Sequence, residues 1–399
     1  MEAVIKWIAV ILMLWGCSND HKSDTRDIII EDVQNLEFNG SGKPNISELL
    51  NLASFKYIPL EMNNQGLLSG DNPEEIQYNN GRFIILDKIN NPVVVFDEKG
   101  NYSATLGTKG KGPDEFLSSI DISVPKGRDS LFMLDYMGRK IVVYDLHKGN
   151  QVIKTISIVG DDLNDFPEIN GMEKVKDGFL LFGKKNPSLD SHAAIIHMNS
   201  KGSVEDITPF PSLTTQNRKA NRNGLFQKLP NELILLKNYS DTIWTWNDHM
   251  VEAKYTIPFP NDLYKAHKWV PIQLQFQYKS YLENDNLVYI TYFINAMQYI
   301  YLFDKNEAKG YLINVGEGGI KSRADMPTSE LFYMTDSIAY GFFPHSNVLT
   351  RYEKVTNYIN DHYDFSIPED LKQKFQDEFD VLKEATRNGN GLIVKYNIN

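Results

Sequence analysis

Cysteine is all but missing: Cys17 is the only one in 399 residues. A chain with one cysteine near its start has no internal disulfide, and the rest of it has no thiol nucleophile. Positive charge is also short, with 41 Lys and Arg against 52 Asp and Glu, a net charge of -11 and a pI near 5.3. That balance argues against nucleic acid as a partner. Histidine is sparse and scattered at His21, His147, His192, His197, His249, His267, His345 and His362, and no His-x-His or His-Glu-x-x-His arrangement occurs. No cofactor is expected. The apolar run Trp7 to Leu14 falls far short of the roughly 20 residues that span a bilayer as a helix. Helical crossovers between the strand-like segments are lacking, which disfavours a doubly wound α/β fold.

What is present is a repeat. Gly81 to Asp87 reads as a strand, Pro92 to Asp97 as the next, and Tyr102 to Leu106 as a third, each bounded by Gly, Asn or Asp corners. Asp87 and Asp97 lie ten residues apart, Asp135 and Asp145 repeat that interval, and Asp135 follows Asp87 by 48 residues. The register continues through Phe179 to Gly183 and Ala193 to Met198, then Leu233 to Lys237 and Ile243 to Asn247. Leu287 to Tyr292 with Tyr299 to Asp304 forms a fifth unit, and Leu331 to Phe342 a sixth. Six units of about 50 residues, each with room for four strands, predict an all-β, six-bladed β-propeller. A β-sandwich is the competing architecture.

The units resemble NHL-type and TolB-like six-bladed propellers, in which a strand ending in Asp leads through an Asn and a basic residue to a strand ending in Phe-Asp. Asp87 to Val93 keeps the Asp, Asn90 and the branched residue with Pro92 at the basic position, while Asp135 to Ile141 keeps the Asp, Arg139 and Ile. Tyr57-Ile58-Pro59-Leu60-Glu61, Val95-Phe96-Asp97 and Gly110 to Phe116 are similar to a family of bacterial 6-bladed β-propeller lipoproteins. The resemblance covers about residues 46 to 399 and implies architecture more than activity.

Before the propeller, Lys6 and the apolar run ending at Leu14-Trp15-Gly16-Cys17 fit a signal peptide. The last four residues resemble a lipobox, which makes Cys17 the expected lipid attachment point and the membrane a partner through acyl chains. Residues 18–44 are polar and read as a flexible tether, with Ile28 to Ile30 able to add a strand. The propeller is expected over 45–399. Phe55 to Leu60 and Leu392 to Tyr396 are the candidates for closing the ring within one blade. Between the ring strands, Pro368 opens a C-terminal helix to about Arg387, with Leu371, Phe375, Phe379 and Leu382 on one face and Asn388-Gly389 stopping it.

Candidate chemistry is thin. Asp87, Asn90, Asp135 and Arg139 are candidate channel or turn residues, and the recurring strand-end aspartates are best explained by capping of turn N–H groups. Gly110 to Pro113 reads as an interblade turn, since the full phosphate-loop pattern is absent. Trp244, Trp246 and Trp269 form a candidate aromatic platform, with interblade packing favoured over it. No Gly-x-Ser-x-Gly elbow identifies a nucleophile. The expectation is an outer-membrane lipoprotein of a Gram-negative envelope, facing the periplasm or the surface. It would act as a binding or scaffolding propeller for a glycan, peptide or membrane-protein partner. The alternative is a metal-dependent lactonase, esterase or lyase, which requires three or four carboxylate, Asn or His side chains converging at the axis.

Overall fold

In a computed structural model, six sheets of short antiparallel strands account for the repeat. The structure describes residues 34–35 and 50–398, except 51, 65, 69–72, 88–92, 150, 161–167, 185–192, 211–223, 230–231, 238–241, 248–249, 258–275, 295–296, 315–329, 363–368 and 389. Cys17, Asn90, Trp269 and Ile28 to Ile30 therefore lie outside the described residues. The chain from Val33 to Asn399 forms one unit.

Two strands precede the first complete blade: β1 (Gln34–Asn35) and β2 (Leu52–Pro59). Blade 1 is β3 (Glu75–Asn79), β4 (Arg82–Leu86), β5 (Val93–Asp97) and β6 (Tyr102–Leu106). Blade 2 is β7 (Ser119–Ser123), β8 (Ser130–Asp135), β9 (Lys140–Asp145) and β10 (Val152–Ser157). Blade 3 is β11 (Glu168–Lys174), β12 (Gly178–Lys184), β13 (Ala193–Asn199) and β14 (Val204–Pro209). Blade 4 is β15 (Gly224–Lys228), β16 (Leu233–Lys237), β17 (Thr242–Asn247) and β18 (Met250–Thr256). Blade 5 is β19 (Phe276–Glu283), β20 (Leu287–Ile294), β21 (Met297–Asp304) and β22 (Lys309–Asn314). Blade 6 begins with β23 (Glu330–Met334) and β24 (Ile338–Phe343), passes through helices α1 (His345–His362) and α2 (Glu369–Asn388), and resumes with β25 (Leu392–Ile398).

The order β2-β25-β24-β23 closes the ring with both chain ends in one sheet, and Tyr57 is the direct register partner of Val394. This is the closure expected from Phe55 to Leu60 and Leu392 to Tyr396. The helical insertion falls between the second and third strands of that blade, counted from the axis. It holds two helices where the sequence reading had one: α1 was missed because its apolar stripe is short and set among Asn, Thr and His, which mark turns as readily as helices. Val348 and Val355 of α1 and Leu382 and Ala385 of α2 are buried with Tyr57 and Leu392, and Phe379 stacks on Tyr352 at 5.1 Å. The side chains of Leu371 and Phe375, expected on the same stripe, lie outside the described residues. Within the stretch read as a tether, Gln34–Asn35 pairs in parallel with the outer edge of β18, opposite Tyr255 and Thr256.

Position within a blade is written in the residue pattern. The second and third strands carry neighbouring blades on both faces, so they read as continuous apolar runs: Phe83 to Leu86 and Val93 to Phe96 are all buried. Each such side chain contributes about 1.5–3 kcal/mol by leaving water. Outermost strands are half exposed, as in the Val152 to Ser157 strand. Innermost strands alternate polar and apolar residues, as in Glu75-Ile76-Gln77-Tyr78-Asn79. The apolar cores lie in the seams between blades, for example Ile84, Leu86 and Val95 of blade 1 with Ile122, Met133 and Tyr144 of blade 2. Between blades 3 and 4, Phe182, Phe210 and Trp244 fill the seam with rings 5.7–5.8 Å apart.

Turns are fixed by the strand-end acids, as capping required. Asp97 accepts from Lys99 N at 2.8 Å and Asn101 N at 2.9 Å, Asp145 from His147 N at 2.9 Å, and Asp304 from Asn306 N at 2.9 Å. Gly100 adopts φ 87°, and a Cβ there would meet Pro59 O at 2.1 Å, so only glycine lets this turn of blade 1 press against the end of β2. The seam is stitched again by the buried Asn390. Its side chain accepts from Leu68 N at 2.9 Å and donates to Glu61 O at 3.0 Å and Gly66 O at 2.9 Å.

Candidate binding site in the central channel

The innermost strands leave one backbone edge without a sheet partner among the described residues. Such an edge needs other hydrogen-bond partners. Side chains at alternate positions of one blade supply them to the next. From β3, Gln77 accepts from Val124 N at 3.1 Å and donates to Ile122 O at 2.9 Å, while Asn79 accepts from Gly127 N at 3.0 Å. From β7, Asp121 accepts from Met172 N at 2.6 Å and Ser123 from Lys174 N at 3.0 Å. Ion pairs continue the belt, with Lys228 on Glu173 at 2.9 Å and Lys279 on Glu330 at 2.5 Å.

This belt surrounds a channel of about 960 Å³ that runs along the innermost strands of blades 1, 4, 5 and 6, from Glu74 and Glu330 at their starts to Asn80 and Thr335 past their ends. The volume sits at the upper end of the roughly 300–1,000 Å³ usual for small-molecule sites. Aromatic rings occupy much of the wall. Tyr78, Phe332 and Tyr333 line it, and Tyr78 packs on Tyr333 at 5.1 Å and on Tyr340 at 4.5 Å. Phe226 and Phe293 add two more rings from blades 4 and 5.

The carboxyl groups of the belt are electrostatically unusual. Glu75 and Asp121 lie against each other, so each disfavours the other's charge. Burial and the adjacent Glu75 charge push Asp121 well above the ordinary carboxylate range, and burial raises Glu75 as well. Burial also raises Glu173, against the opposing pull of Lys228. Glu283 goes the other way. Burial opposes its charge, but donors from Lys305 and Tyr281 at 2.6 Å, Lys254 at 2.7 Å and Tyr255 at 2.9 Å prevail and hold it below the usual range.

Of the residues singled out from sequence, Asp135 is fully buried in the turn after β8, where it accepts from Leu117 N at 3.1 Å, Ser118 N at 3.0 Å and Gly138 N at 3.1 Å. Arg139 completes that turn at φ 46° and its carbonyl accepts from Ile158 N at 2.9 Å. Asp87 is buried at the end of β4. None of the three lines the channel. Trp244 does not form a platform, because it is wholly buried against Phe210, and Trp246 is half-buried on β17. The Gly110 to Pro113 segment is the interblade turn expected: Glu115 accepts from Gly112 N at 2.7 Å, and Lys140 reaches Gly112 O and Pro113 O at 3.2 Å. Sequence reasoning missed the channel-lining set. The signal was present as polar residues at every second place in Glu75-Ile76-Gln77-Tyr78-Asn79, all of which line the channel.

Among the described residues, no group of three or more His, Cys, Asp or Glu side chains is arranged to hold a metal ion. Nor is any helix among them long and apolar enough to cross a membrane. The family DUF5128, described as 6-bladed beta-propeller, matches residues 29–322. No curated protein matches the chain. Among solved structures, a "Putative exported protein" of Bacteroides fragilis is similar at TM-score 0.62 and 14% identity, over 92% of this chain and 100% of that one. A DUF4221-family member from Bacteroides vulgatus gives a TM-score of 0.46 at 8% identity, over 73% of this chain and 93% of that one. The first likeness bears on the fold alone.

Proposed function

The chain belongs to the DUF5128 family of 6-bladed beta-propellers, and from that premise we propose that it is an envelope lipoprotein whose central channel binds a ligand. The single observation that carries the binding reading is the channel itself. It combines a volume of about 960 Å³ with aromatic faces and polar groups held rigidly by the belt between blades. Rigid, already ordered side chains lose little entropy on binding. The partner is a glycan, a peptide or an exposed segment of a membrane protein, each of which can present a strand-like or ring-like end to an axial opening.

Anchoring is supported by the Leu14 to Cys17 lipobox resemblance and by the polar residues that follow it. Acyl chains on Cys17 would hold the ring at a membrane without a spanning helix. Fractionation of cells carrying Cys17→Ser tests this: the wild type should sediment with membranes and the variant should be released. A variant that stays with the membranes refutes the anchor. For binding, the purified full chain would be screened by thermal shift against glycans and peptides. A stabilising ligand whose effect is lost in Tyr333→Ala and Lys279→Met is expected, and a ligand indifferent to both substitutions would place binding elsewhere.

A further inference from the structure

Within the channel, one stretch of wall carries a polar group that the fold leaves unused. Ser280 of β19 is about nine-tenths buried and lines the channel, yet among the described residues its Oγ has no hydrogen-bond partner. A buried hydroxyl without a partner costs on the order of 1–3 kcal/mol, which a guest or a water bonding to it from the channel would recover. Next to Ser280 in the chain, Lys279 pairs with Glu330 at 2.5 Å and lies over the Phe293 ring at 5.9 Å. Phe332, two residues beyond Glu330, faces the same channel.

We propose that this wall between blades 5 and 6 is a subsite for a neutral saccharide, a reading that rests on the channel being the binding site. Charge decides the ligand class. The cations and anions here are already matched, Lys279 with Glu330 and Lys228 with Glu173, while Glu283 is shared by Lys254 and Lys305. A charged ligand on this wall would have to compete with the half-buried Lys279–Glu330 pair, or strip a lysine from Glu173 or Glu283, whose side chains are 7% and 8% exposed, and so leave a desolvated charge without its partner. A hydroxyl-rich neutral ligand does not. Each paired ammonium keeps N–H donors to spare and each carboxylate keeps lone pairs, so both can bond hydroxyl groups without parting. Ser280 Oγ both donates and accepts, matching a sugar hydroxyl in either sense. Phe293, under Lys279, and Phe332, stacked on Tyr340, still border the channel and give it apolar surface suited to the C–H side of a pyranose ring, and a channel of about 960 Å³ has room for more than one ring.

The test is calorimetric titration of the full chain with three probe sets: neutral gluco-, manno- and galacto-oligosaccharides, anionic oligogalacturonates, and a mixed heptapeptide pool. A neutral oligosaccharide should bind, with affinity changing less than about twofold between low and high salt because no net charge is neutralised. Ser280→Ala should weaken it about fivefold, one hydrogen bond's worth, and Phe332→Leu about tenfold, with melting temperatures showing that both variants fold. Neutral saccharide binding that is indifferent to both substitutions overturns the subsite. If only oligogalacturonate or peptide binds, and does so in a manner sensitive to these substitutions, the saccharide class is wrong while the channel remains the binding site. Binding by none of the probes counts against both.

Discussion

Substituting Glu378 should loosen the closure of the ring. This residue of α2 is buried, with its side chain 3% exposed, and it accepts from Tyr57 OH at 2.8 Å, Arg351 Nε at 2.7 Å and Arg351 Nη2 at 3.2 Å. Three elements meet there: β2 through Tyr57, α1 through Arg351, and α2 itself. Glu378→Ala leaves a guanidinium and a phenol facing each other without the carboxylate. Removing one partner of a buried ion pair costs about 3–5 kcal/mol. Arg351 is 13% exposed, so water recovers part of its solvation and the lower end, about 3 kcal/mol, is expected. Glu378→Gln keeps an acceptor and should cost about half as much. The pair Arg351→Met with Glu378→Leu removes both charges but leaves the buried Tyr57 hydroxyl without its acceptor, and should cost about 1–2 kcal/mol, less than Glu378→Ala. Urea unfolding followed by both circular dichroism and tryptophan fluorescence gives these values and shows whether the seam opens before the rest of the ring. A loss below about 1 kcal/mol for Glu378→Ala, or a double variant as damaged as the single one, would refute the reasoning.

Tyr57 gives the same network a pH signature. Burial, then the Glu378 charge, raises its phenol well above the usual range. A raised acid stabilises the fold fully below its unfolded value of about 10 and loses that contribution as pH climbs beyond it, so Tyr57→Phe should flatten the alkaline limb of the stability curve. Asp121 works in the same sense at lower pH. Its carboxyl is raised by burial and by Glu75, so its contribution is fully present below about pH 4 and declines as pH rises through the folded value. The stability difference between wild type and Asp121→Asn, measured by urea titration from pH 4 to 8, should therefore move in favour of the variant as pH increases. Asp135→Ala orphans three backbone N–H groups around a fully buried carboxylate, and should cost about 3 kcal/mol in the same assay. Gly100→Ala drives a Cβ into Pro59 O and should lower the melting temperature by several degrees, with near-native circular dichroism.

The comparison between chain and fold is instructive at particular residues. Asp97, Asp145 and Asp304 could be read as turn caps because an aspartate two to four residues before a free N–H acts locally, whatever the rest of the chain does. Tyr57 and Val394 could be paired in advance because a blade lacking strands and a chain with two unassigned apolar ends leave few topologies. Trp244 could not be placed. A tryptophan on a strand points to one face or the other by period alone, and only the neighbouring blade decides that its face is closed by Phe210. The α1 helix escaped because its stability comes from packing on α2 and blade 6, a tertiary contribution that outweighs weak local propensity.

Local chemistry and spacing along the chain were enough to determine the number of blades, the strand that each apolar run becomes, and the two ends that meet. They were enough because strand period, turn capping and a 48-residue interval act within one unit at a time. Which groups of the innermost strands meet was decided by the ring alone. Glu75, Asp121 and Glu173 come from three successive blades, and Lys279 finds Glu330 across 51 residues. Such neighbours are set by the angle between blades, which no single segment encodes.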